Sequence, residues 1–119
     1  MPRRRALFLD TVVLSNFALA RQVGLLLDRY PDSLCTTVQV LEELLAGVQA
    51  GYGQLESVVG PIRRSVIPAV AVPLARLDTY RDLRRTLGAG ESSVIVVAHA
   101  SRGTVATDDL AARQACARL

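Results

Sequence analysis

The sequence predicts an α/β fold: a single three-layer α/β/α domain, residues 1–119, with a mostly parallel sheet of four to five strands. Short apolar runs of strand length alternate with segments whose apolar residues recur at helical spacing, and no repeat or linker interrupts them. Half of the chain is hydrophobic, yet tryptophan is absent and only 4% of the residues are aromatic. The core must therefore be aliphatic, which is usual for a sheet covered by helices on both faces.

The first strand and helix contain a distinctive acidic residue. Residues 6–10 form an apolar run that ends in Asp10, as expected of a buried central strand with a functional residue at its carboxyl end. We expect Ser15 to cap the following helix, because apolar residues recur near helical spacing from residue 17 onwards. Tyr30-Pro31-Asp32 should end that helix.

The next segment again predicts a strand followed by a helix. Residues 33–36 predict a short strand, and Thr36 and Gln39, three positions apart, predict a capping box at the start of a helix. That helix should end near Gly47, with Glu43 in its first two turns and on the same rim of the sheet as Asp10.

The middle of the chain is harder to assign. Residues 48–65 suggest a helix interrupted at Gly60-Pro61, and an alternative is a helical arm that packs on another copy or on a partner. Residues 66–72 predict a third strand, at an edge of the sheet because Pro68 cannot donate to a ladder.

Local rules conflict in the segment that begins at Gly88. Residues 94–97 are β-branched and favour a strand, whereas Ala98, Ala100 and Gly103 suit a helix and its end. We predict a helix, because residues 104–107 already form a short strand and a parallel neighbour needs a crossover helix. Residues 109–119 predict a terminal helix.

All 14 basic residues are arginine, and the formal charge is +3. Two explanations fit. The protein binds nucleic acid, because the guanidinium group donates paired hydrogen bonds to phosphate, or the composition reflects a codon bias toward arginine. Clustering favours the first explanation. A helix over residues 78–87 would place Arg81, Arg84 and Arg85 on one face, and these three are the candidate nucleic-acid contacts.

The two cysteines and the single histidine give little indication of function. Cys35 and Cys116 are too few for a disulfide framework, and Cys35 lies in an apolar run where a thiol behaves as a small hydrophobe. His99, the sole histidine, lies in an apolar helix and is expected to be a core or interface residue rather than a base. No signal peptide is recognised and no apolar run reaches the ~18 residues of a membrane span, so we expect a cytoplasmic protein without a membrane partner.

Five of the 11 acidic residues stand at predicted strand ends or in the first turns of helices, within apolar sequence. They are Asp10, Glu43, Glu91, Asp108 and Asp109. In an open α/β sheet such positions meet in a crevice beyond the carboxyl ends of the strands. Crowded carboxylates need a cation, and an all-oxygen site suits Mg²⁺ or Mn²⁺. The pattern therefore predicts a divalent-metal site able to polarise a phosphodiester.

Four stretches of the chain resemble the PIN-domain family, and especially its VapC-type toxins. They are Leu9-Asp10-Thr11 with Val13-Leu14-Ser15-Asn16, Glu43-Leu44-Leu45-Ala46-Gly47, Gly88-Ala89-Gly90-Glu91, and Ala106-Thr107-Asp108-Asp109-Leu110-Ala111-Ala112-Arg113. Their order and rough spacing match the family over nearly the whole chain. The resemblance implies a parallel sheet of strand order 3-2-1-4-5 and a metal-dependent ribonuclease that acts on single strands.

The same resemblance implies roles for individual residues. The catalytic acids would be Asp10, Glu43, Glu91 and Asp109. The ligands of Mg²⁺ or Mn²⁺ would be Asp10, Glu91, Asp108 and Asp109. Supporting polar residues that orient these acids or a substrate phosphate would be Thr11, Asn16 and Thr107.

Two features depart from the family pattern. Ser92-Ser93 stand where relatives usually have small apolar residues. The family continues past the last helix into a fifth strand, whereas this chain stops at Leu119, so we expect a truncated chain or a sheet without that edge strand.

We therefore expect an endoribonuclease that is the toxin of a toxin–antitoxin pair, with RNA as substrate and an antitoxin as partner. A homodimer is expected from the apolar helical surface of residues 48–62. Two alternatives stay open: a PIN-like nuclease in RNA processing or DNA metabolism, and a non-catalytic module that binds RNA or protein. The intact acidic set argues against the non-catalytic module.

Overall fold

The computed structural model describes residues 5–107 and Cys116. In this part of the chain the strands are β1 (Leu7–Leu9), β2 (Leu34–Thr37), β3 (Ala69–Val70) and β4 (Thr104–Ala106). The helices are α1 (Thr11–Leu19), α2 (Val23–Arg29), α3 (Val38–Gln49), α4 (Glu56–Arg63), α5 (Leu77–Leu83) and α6 (Ala89–Ser101), with 3-10 turns at Gly53–Leu55 and Leu74–Arg76. The terminal helix predicted over residues 109–119 lies outside the described residues, apart from Cys116.

The described strands form one parallel sheet of order β3-β2-β1-β4. Helices flank this sheet in a three-layer α/β/α fold, so the predicted fold class is confirmed. The order agrees with the first four positions of the predicted 3-2-1-4-5 sheet. The chain builds β2 and β3 on one side of β1 and then crosses to β4 on the other side. The strand order thus reverses at the carboxyl ends of β1 and β4, the position at which parallel α/β folds bind ligands.

The core is aliphatic, as the composition predicts. Leu9 of β1, Leu14 of α1, Leu44 of α3, and Val58 and Val59 of α4 are at most 1% exposed. Burial of each such side chain stabilises the fold by about 1.5–3 kcal/mol relative to exposure. The core therefore fixes α1, α3 and α4 on the sheet, and with them the side chains at the ends of these helices.

Residues 94–97 are helical, so the prediction made against their β-branched composition is confirmed. All four are at most 4% exposed, because α6 packs on the sheet, on α3 and on α5. A helix buried on several sides needs no polar stripe, and tertiary burial outweighs its weak helix propensity. The helix ends at Arg102 in the left-handed conformation, φ 58°, and Gly103 N donates to Ala98 O at 2.8 Å.

The start and extent of the first helix differ from the prediction. Asp10 caps α1, and Ser15 lies inside that helix. The helical segment expected to run on to Tyr30 is broken near Arg21, which has a φ of 58°, and continues as α2.

The cap of α3 is shifted by one residue from the predicted capping box. Thr37 is the cap, and its Oγ1 accepts a hydrogen bond from Val40 N at 3.2 Å. Thr36 belongs to β2 and donates its hydroxyl to Leu9 O at 2.8 Å instead. Both threonines belong to β2 and pair with β3, and their side-chain hydrogen bonds distinguish them, since the Thr37 hydroxyl accepts from the first turn of α3.

The segment predicted as an interrupted helix or an arm is a helix packed on the core. α4 runs through Gly60-Pro61, and Pro61 is buried within it. Proline lacks the N–H that would donate a helical hydrogen bond, and burial of the surrounding apolar side chains compensates for this loss. These side chains, all at most 6% exposed, are Leu55, Val58, Val59 and Ile62. These side chains face this chain's own core, so they do not provide the free apolar surface on which the homodimer was predicted.

Two further elements are shorter than predicted. β3 contains only Ala69 and Val70, with Pro68 and Pro73 on either side, and it pairs with β2 at the edge of the sheet as expected. α5 ends at Leu83, so Arg84 is its C-cap rather than part of its interior. His99 is exposed in the last turn of α6, so it is not a core residue, and the alternative expectation of an interface residue stays a prediction.

Burial raises the pKa of the Cys35 and Cys116 thiols, which keeps both protonated near neutral pH. Cys35 packs against the core as a small hydrophobe, as predicted. No helix in the described ranges is long and apolar enough to span a membrane.

Candidate active site

Asp10 lies at the carboxyl end of β1, where one carboxylate oxygen caps α1 and the other is buried. The residue is 1% exposed, and its Oδ1 accepts a hydrogen bond from Val13 N at 2.9 Å, which caps α1. Its Oδ2 is buried and has no hydrogen-bond partner among the described residues. A buried carboxylate oxygen without a partner is costly, so this atom requires a cation or a donor that the described residues do not supply.

Thr11 and Glu43 join α1 to α3 beside Asp10. Thr11 Oγ1 donates to Glu43 Oε1 at 2.6 Å across 32 residues of sequence. Glu42, the neighbouring acid, is exposed and does not share this bond. Of the two adjacent acids, Glu43 is therefore the one that this hydrogen bond fixes.

The first turn of α6 lies beside the Thr11–Glu43 pair. A Cβ atom placed on Gly90 would overlap Glu43 Oε1 and would lie 2.7 Å from Thr11 Oγ1. The backbone of α6 thus lies against the Thr11–Glu43 pair, and only glycine leaves room for the carboxylate. Glu91 is the next residue and is half-buried.

Thr107 lies at the same edge of the sheet as Asp10. In the parallel pairing of β1 with β4, Leu9 is opposite Ala106, so Asp10 and Thr107 directly follow two paired residues. Asp108 and Asp109 come next in the sequence but lie outside the described residues. Within residues 5–107 and Cys116, no three His, Cys, Asp or Glu side chains form a group able to hold a metal ion.

Asn16 is the predicted supporting residue that the structure does not connect to the others. It lies in the middle of α1 and is exposed. No side-chain hydrogen bond links it to Asp10, Thr11 or Glu43 in the described ranges.

The three candidate nucleic-acid contacts surround the end of α5 instead of sharing one helical face. Arg81, Arg84 and Arg85 are all exposed, and Arg84 Nη1 donates to Leu87 O at 3.0 Å. Arg85 lies 3.7 Å from Asp82, with both side chains at least 75% exposed, so this ion pair contributes little. The turn that contains Arg84 and Arg85 leads directly to Gly88, the N-cap of α6. The basic residues are therefore close in sequence to the acidic edge.

Sequence reasoning missed a buried hydroxyl pair behind this edge. Thr37 Oγ1 and Ser93 Oγ are 2.6 Å apart, and Ser93 donates to Gly90 O at 2.7 Å. The available signal was the presence of hydroxyl residues in two motifs, at the end of the second strand and after Glu91. Their pairing depends on the docking of α3 against α6, which no local pattern specifies.

Known protein families offer an independent comparison. A family model described as a PIN domain matches residues 6–119. Comparisons with curated proteins and with solved structures gave no significant match.

Proposed function

Because the chain belongs to the PIN-domain family, whose fold is of the nuclease type, we propose that it is a divalent-metal-dependent endoribonuclease. Its reaction is the hydrolysis of phosphodiester bonds in single-stranded RNA. The observation that supports this most directly is the buried Oδ2 of Asp10, which has no hydrogen-bond partner among the described residues. A cation stabilises a carboxylate oxygen in that state, so Asp10 fits the role of a ligand to Mg²⁺ or Mn²⁺.

The proposed ligand set contains Asp10, Glu91, Asp108 and Asp109. All four are hard oxygen donors. Asp10 lies at the same edge of the sheet as Thr107, and the two later aspartates directly follow Thr107 in the sequence. These four residues would hold a divalent ion, which would supply Lewis-acid polarisation of the scissile phosphate and would make an attacking water more acidic.

Glu43 is the proposed proton acceptor. Thr11 holds its Oε1, which fixes the carboxylate and leaves Oε2 to take a proton from the attacking water. Thr107, beside Asp10 in the strand register, is proposed to orient the last acids, and Asn16 to contact the substrate.

Arg81, Arg84 and Arg85 are proposed to bind the RNA backbone. Their guanidinium groups are exposed, and Arg84 and Arg85 lie in the turn that leads into α6. Phosphate contacts at this position would add affinity for RNA without selecting a base.

We further propose that the protein is the toxin of a toxin–antitoxin pair of the VapC type, with an antitoxin as its partner. This assignment rests on the resemblance of the four acidic motifs to those toxins. An antitoxin-sized reading frame directly upstream would support the pairing, and its absence would favour a nuclease of RNA processing or DNA metabolism. The homodimer stays a proposal; because the apolar residues of α4 are buried in this chain's own core, its interface would have to lie elsewhere, and light scattering tests it.

The direct test is incubation of the purified chain with end-labelled single-stranded RNA and with DNA of the same sequence. We expect internal cleavage of the RNA in Mn²⁺ or Mg²⁺ and none in a chelator. Cleavage of the DNA alone would contradict the ribonuclease proposal. Binding of RNA without cleavage in either metal would identify a non-catalytic module.

A further inference from the structure

A run of buried hydrogen bonds connects the first turn of α3 to the first turn of α6. Val40 N donates to Thr37 Oγ1 at 3.2 Å, Thr37 Oγ1 lies 2.6 Å from Ser93 Oγ, and Ser93 Oγ donates to Gly90 O at 2.7 Å. Thr37 and Ser93 are both 0% exposed. Neither hydroxyl can exchange these partners for water.

The direction of the hydrogen bonds follows from counting hydrogens. Each hydroxyl has one hydrogen, and the Gly90 carbonyl can only accept. Ser93 gives its hydrogen to Gly90, so Thr37 must donate to Ser93, while Val40 N–H occupies the oxygen of Thr37. Every hydrogen of the run is thus used, and loss of the Ser93 hydroxyl would leave the buried Thr37 hydroxyl without its acceptor.

This run of hydrogen bonds ends at Gly90, which contacts residues of the candidate active site. Gly90, whose carbonyl Ser93 holds, lies against the Glu43 carboxylate and the Thr11 hydroxyl. Glu91 is the next residue of the same turn. The Thr37–Ser93 contact therefore ties the turn that carries Gly90 and Glu91 to the start of α3, the helix that carries Glu43.

We propose that Ser93 is a positioning residue of the active site. It contacts no substrate, and it acts by holding Gly90 and Glu91 in register with Glu43 through Thr37. The inference rests on the proposed function, because the register matters only if these acids act together. Small displacements of such groups lower a rate steeply, since catalysis depends on the alignment of reacting groups.

Ser92 provides a matched control within the same helix. It is also 0% exposed, but its Oγ has no hydrogen-bond partner among the described residues. Replacement of Ser92 or Ser93 by alanine removes the same oxygen from the same helix at equal burial. A role in packing alone would make the two replacements equivalent.

Steady-state cleavage of single-stranded RNA in Mn²⁺ gives the first readout. We expect Ser93→Ala to lower kcat by about tenfold or more with KM within about twofold, and Ser92→Ala to leave both within about twofold. Thr37→Ser, which keeps the hydroxyl, should retain kcat within about threefold, whereas Thr37→Val should lose as much as Ser93→Ala. The double variant Thr37→Val with Ser93→Ala should be no slower than Thr37→Val alone, because both changes remove one run of bonds.

Mn²⁺ affinity, measured by calorimetry without RNA, gives a second readout that does not depend on cleavage. Ser93→Ala should weaken Mn²⁺ binding by about fivefold or more, since it displaces Glu91, and Ser92→Ala should not. If the parent binds Mn²⁺ but cleaves no RNA, the proposed function fails and this comparison still decides the role of Ser93. Equal kcat and equal Mn²⁺ affinity in the two serine variants would overturn the inference, as would a parent that neither binds Mn²⁺ nor cleaves RNA. If Ser93→Ala does not fold, the contrast between Thr37→Ser and Thr37→Val decides in its place.

Discussion

The hydroxyl of Thr11 donates to Oε1 of Glu43 at 2.6 Å, although the two residues are 32 positions apart in the sequence. This bond connects the residue after the capping aspartate of α1 to the second turn of α3. Glu43 is on the exposed side of its helix, so packing alone does not fix its carboxylate. The hydroxyl of Thr11 therefore helps to orient the proposed proton acceptor.

Thr11→Val tests this dependence, because valine keeps the shape of threonine and removes the donor. We expect cleavage of single-stranded RNA to fall by about tenfold, since the carboxylate of Glu43 is released. The free energy of unfolding, measured with urea, should fall by only about 1 kcal/mol. Thr11→Ser keeps the donor and should cleave nearly as well as the parent. Equal losses in both variants would mean that the methyl group, and not the hydrogen bond, matters.

Glu42 and Glu43 form a matched pair of neighbouring acids. Glu43→Gln should lower cleavage by about 100-fold or more, because an amide cannot take the proton of the attacking water. Glu42→Gln removes the same charge one position away and should leave the rate within about twofold, as expected for an exposed surface side chain. Comparison of kcat at saturating RNA decides the matter. A larger loss in the Glu42 variant would reverse the assignment.

The variant Gly90→Ala should fold but should cleave RNA poorly. The added Cβ would meet Glu43 Oε1, at the far end of a side chain that can swing away, and would lie 2.7 Å from Thr11 Oγ1, which can yield by a change of rotamer. We expect about a 100-fold loss of cleavage from the misplaced carboxylate, together with a small change in the urea midpoint. Gly88→Ala is the control, since a Cβ at Gly88 meets nothing within 4 Å. Near-parental cleavage by Gly90→Ala would show that the position of Glu43 is not critical.

The elements that sequence patterns predicted well were specified either by their own residues or by the topology of the sheet. The apolar run ending in Asp10 is a central strand, and its position in the sheet follows from its burial on both faces. The helix over residues 94–97 was recovered only by a topological argument, because its β-branched residues favour a strand locally. The crossover between two parallel strands imposes a helix there.

The features that sequence patterns did not predict depend on contacts between distant segments. Ser15 looks like a helix cap, yet Asp10 caps α1 because β1 ends there and leaves Val13 N without another acceptor. Gly90 was recognised as part of a motif, but its close approach to Glu43 requires the docked helices. The link between Thr37 and Ser93 spans 56 residues and has no local signature.

The arginines at the end of α5 should contribute to binding and to its salt dependence rather than to chemistry. Removal of one phosphate-binding arginine should reduce the slope of log K against log salt by about 0.7 for a single strand. Arg84→Gln with Arg85→Gln should therefore bind RNA more weakly at low salt and lower the slope by about 1.4. Arg63→Gln with Arg64→Gln, at the end of α4, removes the same charge as a control. Titrations in a chelator prevent cleavage, and equal slopes in both double variants would exclude a specific interaction at α5.

The central claim is that Asp10 holds a divalent cation for RNA hydrolysis, and Asp10→Asn tests it most directly. Asparagine is as good an N-cap as aspartate, so α1 should keep its start, and removal of a buried charge should leave the metal-free melting temperature equal or higher. The measurement is Mn²⁺-dependent cleavage of single-stranded RNA by parent and variant at equal concentration. We expect the parent to cleave and the folded variant to lose at least about 100-fold in rate. Cleavage by the variant within about twofold of the parent would contradict the assignment.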